Sequence, residues 1–150
     1  ARTRLFSAFD RGTSVVHYVG HSGPTVWSFQ GLFSAADGAA LNNVGKPSVV
    51  IQWGCWNTYH VAPEVDTLAH RLLLSGPRGA AAVIGSSTLS KTESDLVLGP
   101  RFLQQLLVPG RTVGEALVLA KRAAARVEGD LRDVLYGWTL LGDPALPIVP

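Results

Sequence analysis

The sequence predicts an α/β fold in which a mostly parallel sheet is flanked by helices. Three observations carry that expectation. The apolar runs Val15–Val19, Ser48–Trp53 and Gly79–Ile84 are short, nearly unbroken and closed by Gly20, Gly54 and Gly85. Strands buried on both faces read this way, because neither face has to stay polar. Between the second and third runs, Val65, Leu68, Ala69, Leu72 and Leu73 recur with helical spacing until Gly76-Pro77 stops them, as a crossover helix would.

The other elements follow in order. Leu32 to Asn43 can hold a shorter helix over Phe33, Ala36, Ala40 and Leu41, with Gly31 and Gly38 working against it. After the third strand, Pro100 is placed to open a helix through Phe102, Leu103, Leu106 and Leu107, ended by Pro109-Gly110. Thr112 and Glu115 have the spacing of a capping box. Val113, Ala116, Leu117, Ala120, Ala124 and Val127 give the helix behind them one apolar face. Glu128 to Asp133 reads as a solvated loop before a last apolar stretch, Val134 to Leu141.

Composition narrows the function. The 150 residues carry Lys+Arg 13 against Asp+Glu 11, a net charge of +2, with 47% hydrophobic and 16% charged side chains. That is the balance of one ordinary globular domain whose core needs no metal or disulfide, and with one cysteine no internal disulfide can form. The densest basic stretch, Lys121, Arg122 and Arg126, has no interleaved aromatic residues, so nucleic acid is a poor partner. No apolar run approaches the roughly 20 residues that a membrane-spanning helix needs. The Ala-Arg-Thr-Arg start leads into no apolar segment of signal-peptide type. The four histidines include no pair with ligand spacing and a cysteine partner, so a structural zinc site is not expected.

Ligands of open α/β sheets bind beyond the carboxyl ends of the strands. Those ends read Gly20-His21-Ser22-Gly23, Gly54-Cys55-Trp56-Asn57 and Gly85-Ser86-Ser87-Thr88. If the first two strands are parallel neighbours, His21 and Cys55 share one edge of the sheet. An imidazole there would help form the thiolate and later protonate a leaving group. Taken singly, such a cysteine is more often a small core residue and such a histidine a structural one. Their joint placement, each after a glycine, makes a dyad as good a reading. Ser86, Ser87 and Thr88 would either border a cleft or form a polar turn, and His60 is the one further histidine that could reach a cleft.

Tyr18-Val19-Gly20-His21-Ser22-Gly23, Trp27, Gly54-Cys55, Thr67-Leu68-Ala69, Gly79 to Ser87 and Leu141-Gly142-Asp143-Pro144-Ala145-Leu146 follow one another in an order that resembles the gingipain-type cysteine peptidases of the caspase-like clan. The resemblance implies a caspase-like layered fold, with the chain as the C-terminal part of a larger catalytic domain. It implies His21 and Cys55 as catalytic residues, an oxyanion hole from the backbone N–H groups of Cys55 and Ser22, and a mechanism that needs no cofactor. Trp53, Gly54, Trp56, Ser86 and Ser87 would then meet a protein or peptide substrate. A secreted or cell-surface location, and a partnership with an N-terminal remainder of the same protein, are also implied.

Two features depart from the family pattern. Ser22 stands where the family has glycine, and it would be strained if that position needed a positive φ. Trp53 and Trp56 flank Gly54-Cys55 with enough bulk to fill a substrate pocket. Both suit an alternative, a non-cleaving caspase-like interaction or scaffold domain. A serine hydrolase with Ser22 as nucleophile fits less well, because Pro24 occupies the position where the nucleophile elbow needs its last glycine.

Overall fold

The structure is a computed structural model that describes residues 1–148. In chain order the elements are α1 (Arg2–Asp10), β1 (Val15–Val19), β2 (Ser22–Gly23), β3 (Val26–Trp27), β4 (Phe33–Ser34), α2 (Ala35–Ala39) and β5 (Ser48–Trp53). Then come α3 (Leu68–Leu73), β6 (Ala80–Ser86), α4 (Thr92–Leu106), α5 (Val113–Ala124), α6 (Arg132–Gly137) and β7 (Trp138–Gly142).

The main sheet runs β1-β5-β6-β7, and β2-β3-β4 form a second, small sheet. β5 pairs in parallel with both β1 and β6, whereas β7 closes the sheet antiparallel to β6. Every residue of β5 is buried, which explains its unbroken apolar sequence. Val49, Ile51 and Trp53 pack with Leu98 and Phe102 of α4 and with Ala116 and Ala120 of α5. Val50 belongs to the core on the other face, with Phe9, Trp27, Phe33, Leu68 and Leu72. The period-two alternation of β5 thus feeds two separate cores.

Two expected helices sit close to their predicted places. α3 starts after Thr67, whose side chain accepts from the His70 N–H, and α5 has the capping box of Thr112 and Glu115. The helix expected to open at Pro100 needs correction. α4 begins at Thr92, and Pro100 lies inside it. A proline ring removes the hydrogen bond to the carbonyl of Leu96 but not the burial of Leu98, Gly99, Phe102 and Leu106, which holds the helix across the interruption. The last apolar stretch also splits, into α6 and the antiparallel β7.

Candidate active site

β1 and β5 are paired from Val15↔Val49 to Val19↔Trp53, so the residues that follow leave the sheet side by side. The Gly20 N–H extends this ladder by donating to the Trp53 carbonyl at 3.0 Å. At Gly54 the two loops touch. A Cβ there would lie 2.3 Å from the Gly20 carbonyl oxygen and 2.6 Å from Ser22 Oγ, which leaves glycine as the only residue that fits. The Ser22 hydroxyl then bridges the loops by donating to the Cys55 carbonyl at 2.9 Å.

Each loop is also anchored from behind. The His21 carbonyl accepts from Tyr18 Oη at 2.7 Å and from the Ser28 N–H at 2.8 Å, and its ring stacks on Phe29 with centroids 5.2 Å apart. Tyr18 itself lies flat on Trp27, and the Trp27 indole donates to Gln52 of β5. On the cysteine side, Asn57 Nδ2 donates to the Gly54 carbonyl at 2.8 Å, and the Trp56 N–H donates to the Thr88 carbonyl at 2.9 Å. The Cys55 thiol is half-buried and donates to the Ser90 carbonyl at 3.7 Å.

Ser22 is free of the strain its position suggested. The positive-φ residues other than glycine are Ser28 and Trp56, not Ser22, among the described residues. Ser22 pairs with Trp27 across the antiparallel β2–β3 hairpin, and the bond from Ser28 to His21 makes the neighbouring pair the bonded one. Bonded and non-bonded pairs alternate in such a ladder, so the Ser22 N–H points away from β3.

His21 and Cys55 both line a cavity of about 560 Å³. Gly20 and Gly54 also line it, and the rest of the wall comes from His17 and Val19 of β1, Trp53 of β5 and residues of the segment Ser90–Leu103. That volume lies within the roughly 300–1,000 Å³ of ordinary ligand sites. The wall from α4, with Asp95, Leu96, Gly99, Pro100 and Leu103, goes beyond the sequence expectation, in which Pro100 opens the helix. Gly99 is its signal. A Cβ there would come within 2.7 Å of the Trp53 ring, so a glycine inside a helix marks where the indole packs back.

Of the other sequence candidates, Trp53 and Gly54 border the cavity, whereas Trp56, Ser86, Ser87 and His60 are not in its wall. Trp56 packs edge-on against Tyr59. Ser86 and Ser87 are buried, their hydroxyls donating to the Thr88 and Gly137 carbonyls, each at 2.9 Å. His60 is bound to the Thr58 carbonyl at 2.9 Å. Asp95 is the one carboxylate in the wall. Its oxygens accept from Trp138 Nε1 at 3.0 Å and from Ser90 Oγ at 3.1 Å, and burial raises its pKa despite those bonds. No cluster of three or more metal-ligating side chains occurs among the described residues.

Comparisons place this architecture. The Arg-specific cysteine proteinase gingipain R superposes with a TM-score of 0.84 at 22% identity, over 98% of this chain and 36% of its own. The complex of the Porphyromonas gingivalis RgpB pro- and mature domains gives 0.85 at 24%, over 98% and 37%. A third structure, described only as a protease, gives 0.81 at 18%, over 95% and 37%. The chain therefore spans about a third of the length of these solved structures. No curated protein matches it. The model of peptidase family C25 matches residues 1–149, and the chain belongs to that family of cysteine peptidases.

Proposed function

We propose that the protein is a cysteine endopeptidase, with Cys55 as nucleophile and His21 as its acid–base partner. The observation that carries this reading is that the only cysteine of the chain and a histidine from the adjacent parallel strand line one cavity, in loops tied by Gly54 and by the Ser22–Cys55 hydrogen bond. His21 takes the thiol proton, and the Cys55 sulfur attacks the scissile carbonyl. The N–H groups of Cys55 and Ser22 hold the oxyanion, for which the outward turn of the Ser22 N–H leaves it available. His21 then protonates the leaving amine, and water hydrolyses the thioester to release the acid and the free thiol.

The residues that suited a non-cleaving domain leave the site unobstructed. Ser22 has no positive φ, Trp56 lies outside the cavity wall, and Trp53 forms a side of the cavity without filling it. The test is hydrolysis of a peptide library by the full-length protein and its Cys55→Ala and His21→Ala variants. Each variant is expected to lose at least about a thousandfold in kcat/KM, as members of a catalytic unit do. Hydrolysis that survives Cys55→Ala overturns the assignment.

A further inference from the structure

Phe29 differs from the aromatic residues on either side of it. Trp27 is 1% exposed and Phe33 is fully buried, yet Phe29 between them is 82% exposed. Alternation continued from β3 would send Phe29 to the same buried side as Trp27. Ser28 prevents this. Its φ of 61° is left-handed, a conformation that is costly for a residue other than glycine and persists only where its surroundings hold it. Three hydrogen bonds do so. The Ser28 N–H donates to the His21 carbonyl at 2.8 Å, its carbonyl accepts from the Gly31 N–H at 3.1 Å, and its Oγ accepts from the Leu32 N–H at 3.3 Å. The chain thus turns out of the core at Ser28, and the Phe29 ring stacks on His21 with centroids 5.2 Å apart and planes inclined by 24°. That separation lies within the range aromatic pairs favour.

We propose that Phe29 is a positioning residue that sets the ring plane of His21, an inference that rests on the cysteine-endopeptidase reading above. The bonds from Tyr18 Oη and the Ser28 N–H to the His21 carbonyl fix the backbone of that residue. They leave its ring free to turn, because the terminal torsion of a histidine side chain is broad. A general base has to stand within hydrogen-bond reach of the proton it takes, so a ring plane held in advance spares the reaction that ordering. Stacking occupies a face of the imidazole and leaves the two nitrogens at its edge for the Cys55 proton and the leaving amine. Phe29 itself is not in the cavity wall, so its effect on hydrolysis passes through His21.

Phe29→Ala, Phe29→Leu and Phe29→Tyr in the full-length protein test this, with hydrolysis of the best library peptide and the NMR resonances of the His21 ring protons as readouts. Phe29 is exposed, so all three variants should fold, and melting temperatures check that they do. Phe29→Ala and Phe29→Leu are expected to lower kcat about three- to tenfold, the range one aromatic pair is worth, with KM unchanged. Phe29→Tyr keeps the stack and is expected to keep kcat. The His21 ring resonances, identified by their loss in His21→Ala, are expected to move in Phe29→Ala and Phe29→Leu and to hold in Phe29→Tyr. Unchanged kcat in Phe29→Leu, a loss carried by KM alone, or His21 resonances that do not move in Phe29→Ala each overturn the inference while leaving the peptidase reading intact. An unsubstituted protein that hydrolyses no peptide, and whose Cys55 no thiol-acylating inhibitor labels, overturns the two together.

Discussion

Gly54→Ala is the smallest change that should pull the candidate site apart. The added methyl would sit 2.3 Å from the Gly20 carbonyl oxygen and 2.6 Å from Ser22 Oγ. Ser22 Oγ can rotate away, but only by giving up its bond to the Cys55 carbonyl, a net loss of about 1 kcal/mol. The Gly20 carbonyl cannot move without shifting the residue whose N–H extends the β1–β5 ladder. Overpacking of this kind costs about 1–3 kcal/mol, and contact with backbone puts it at the upper end. A total of about 3–4 kcal/mol corresponds to roughly 10 °C in Tm for a chain of this size. Because the clash separates the two loops, kcat should fall about a hundredfold, the effect of a 1 Å misplacement. Thermal unfolding and peptide hydrolysis measure the two effects. Gly23→Ala is the control, since a Cβ there meets nothing within 4 Å. A Gly54→Ala variant as stable and as active as the Gly23→Ala control refutes the reasoning.

Other substitutions probe the surrounding frame. Gly99→Ala should destabilise by about 1–3 kcal/mol despite the usual helical advantage of alanine, because its methyl would meet the Trp53 ring at 2.7 Å; denaturant midpoints decide. Burial raises the folded pKa of Asp95, so its contribution to stability is fully present below the unfolded value of 3.8 and is lost as pH rises through the folded value. Asp95→Asn should therefore flatten stability between pH 3.8 and neutrality and cost little at neutral pH, which unfolding curves across that window would show. Thr112→Ala should cost about 1 kcal/mol by removing the side-chain acceptor of the Glu115 N–H, with melting temperature as the readout.

How much of this is legible in the sequence depends on the range of the interactions. Three strands of the main sheet, β1, β5 and β6, announce themselves because β5 is buried on both faces and its neighbours share its apolar character, whereas β7 is merged with α6 in one apolar stretch. α5 is legible from its capping box and single apolar face. By contrast, β2, β3 and β4 have two residues each, too few for a period to show. α1 carries Arg2 and Arg4 on its first turn and buries only Phe9, so little in it signals a helix. Pro100 misleads because a proline is commonest at a helix start, whereas here packing on both sides of it carries the helix through.

The candidate site divides in the same way. His21 and Cys55 follow directly from strand ends, a property of local sequence. The opposite wall comes from α4, whose approach depends on how the helix crosses the sheet, and only Gly99 hints at it. Ser86 and Ser87 stand at a strand end as expected, but their hydroxyls are taken up by the carbonyls of Thr88 and Gly137.

The central claim is that His21 activates Cys55, and mass spectrometry of covalent labelling tests it most directly. A thiol-acylating acyloxymethyl ketone is incubated with the full-length protein and with its His21→Ala variant, and the modified residue and its rate are read from the digest. A single adduct on Cys55 is expected, with a rate that collapses in His21→Ala. Labelling of Cys55 at an unchanged rate in that variant would contradict it.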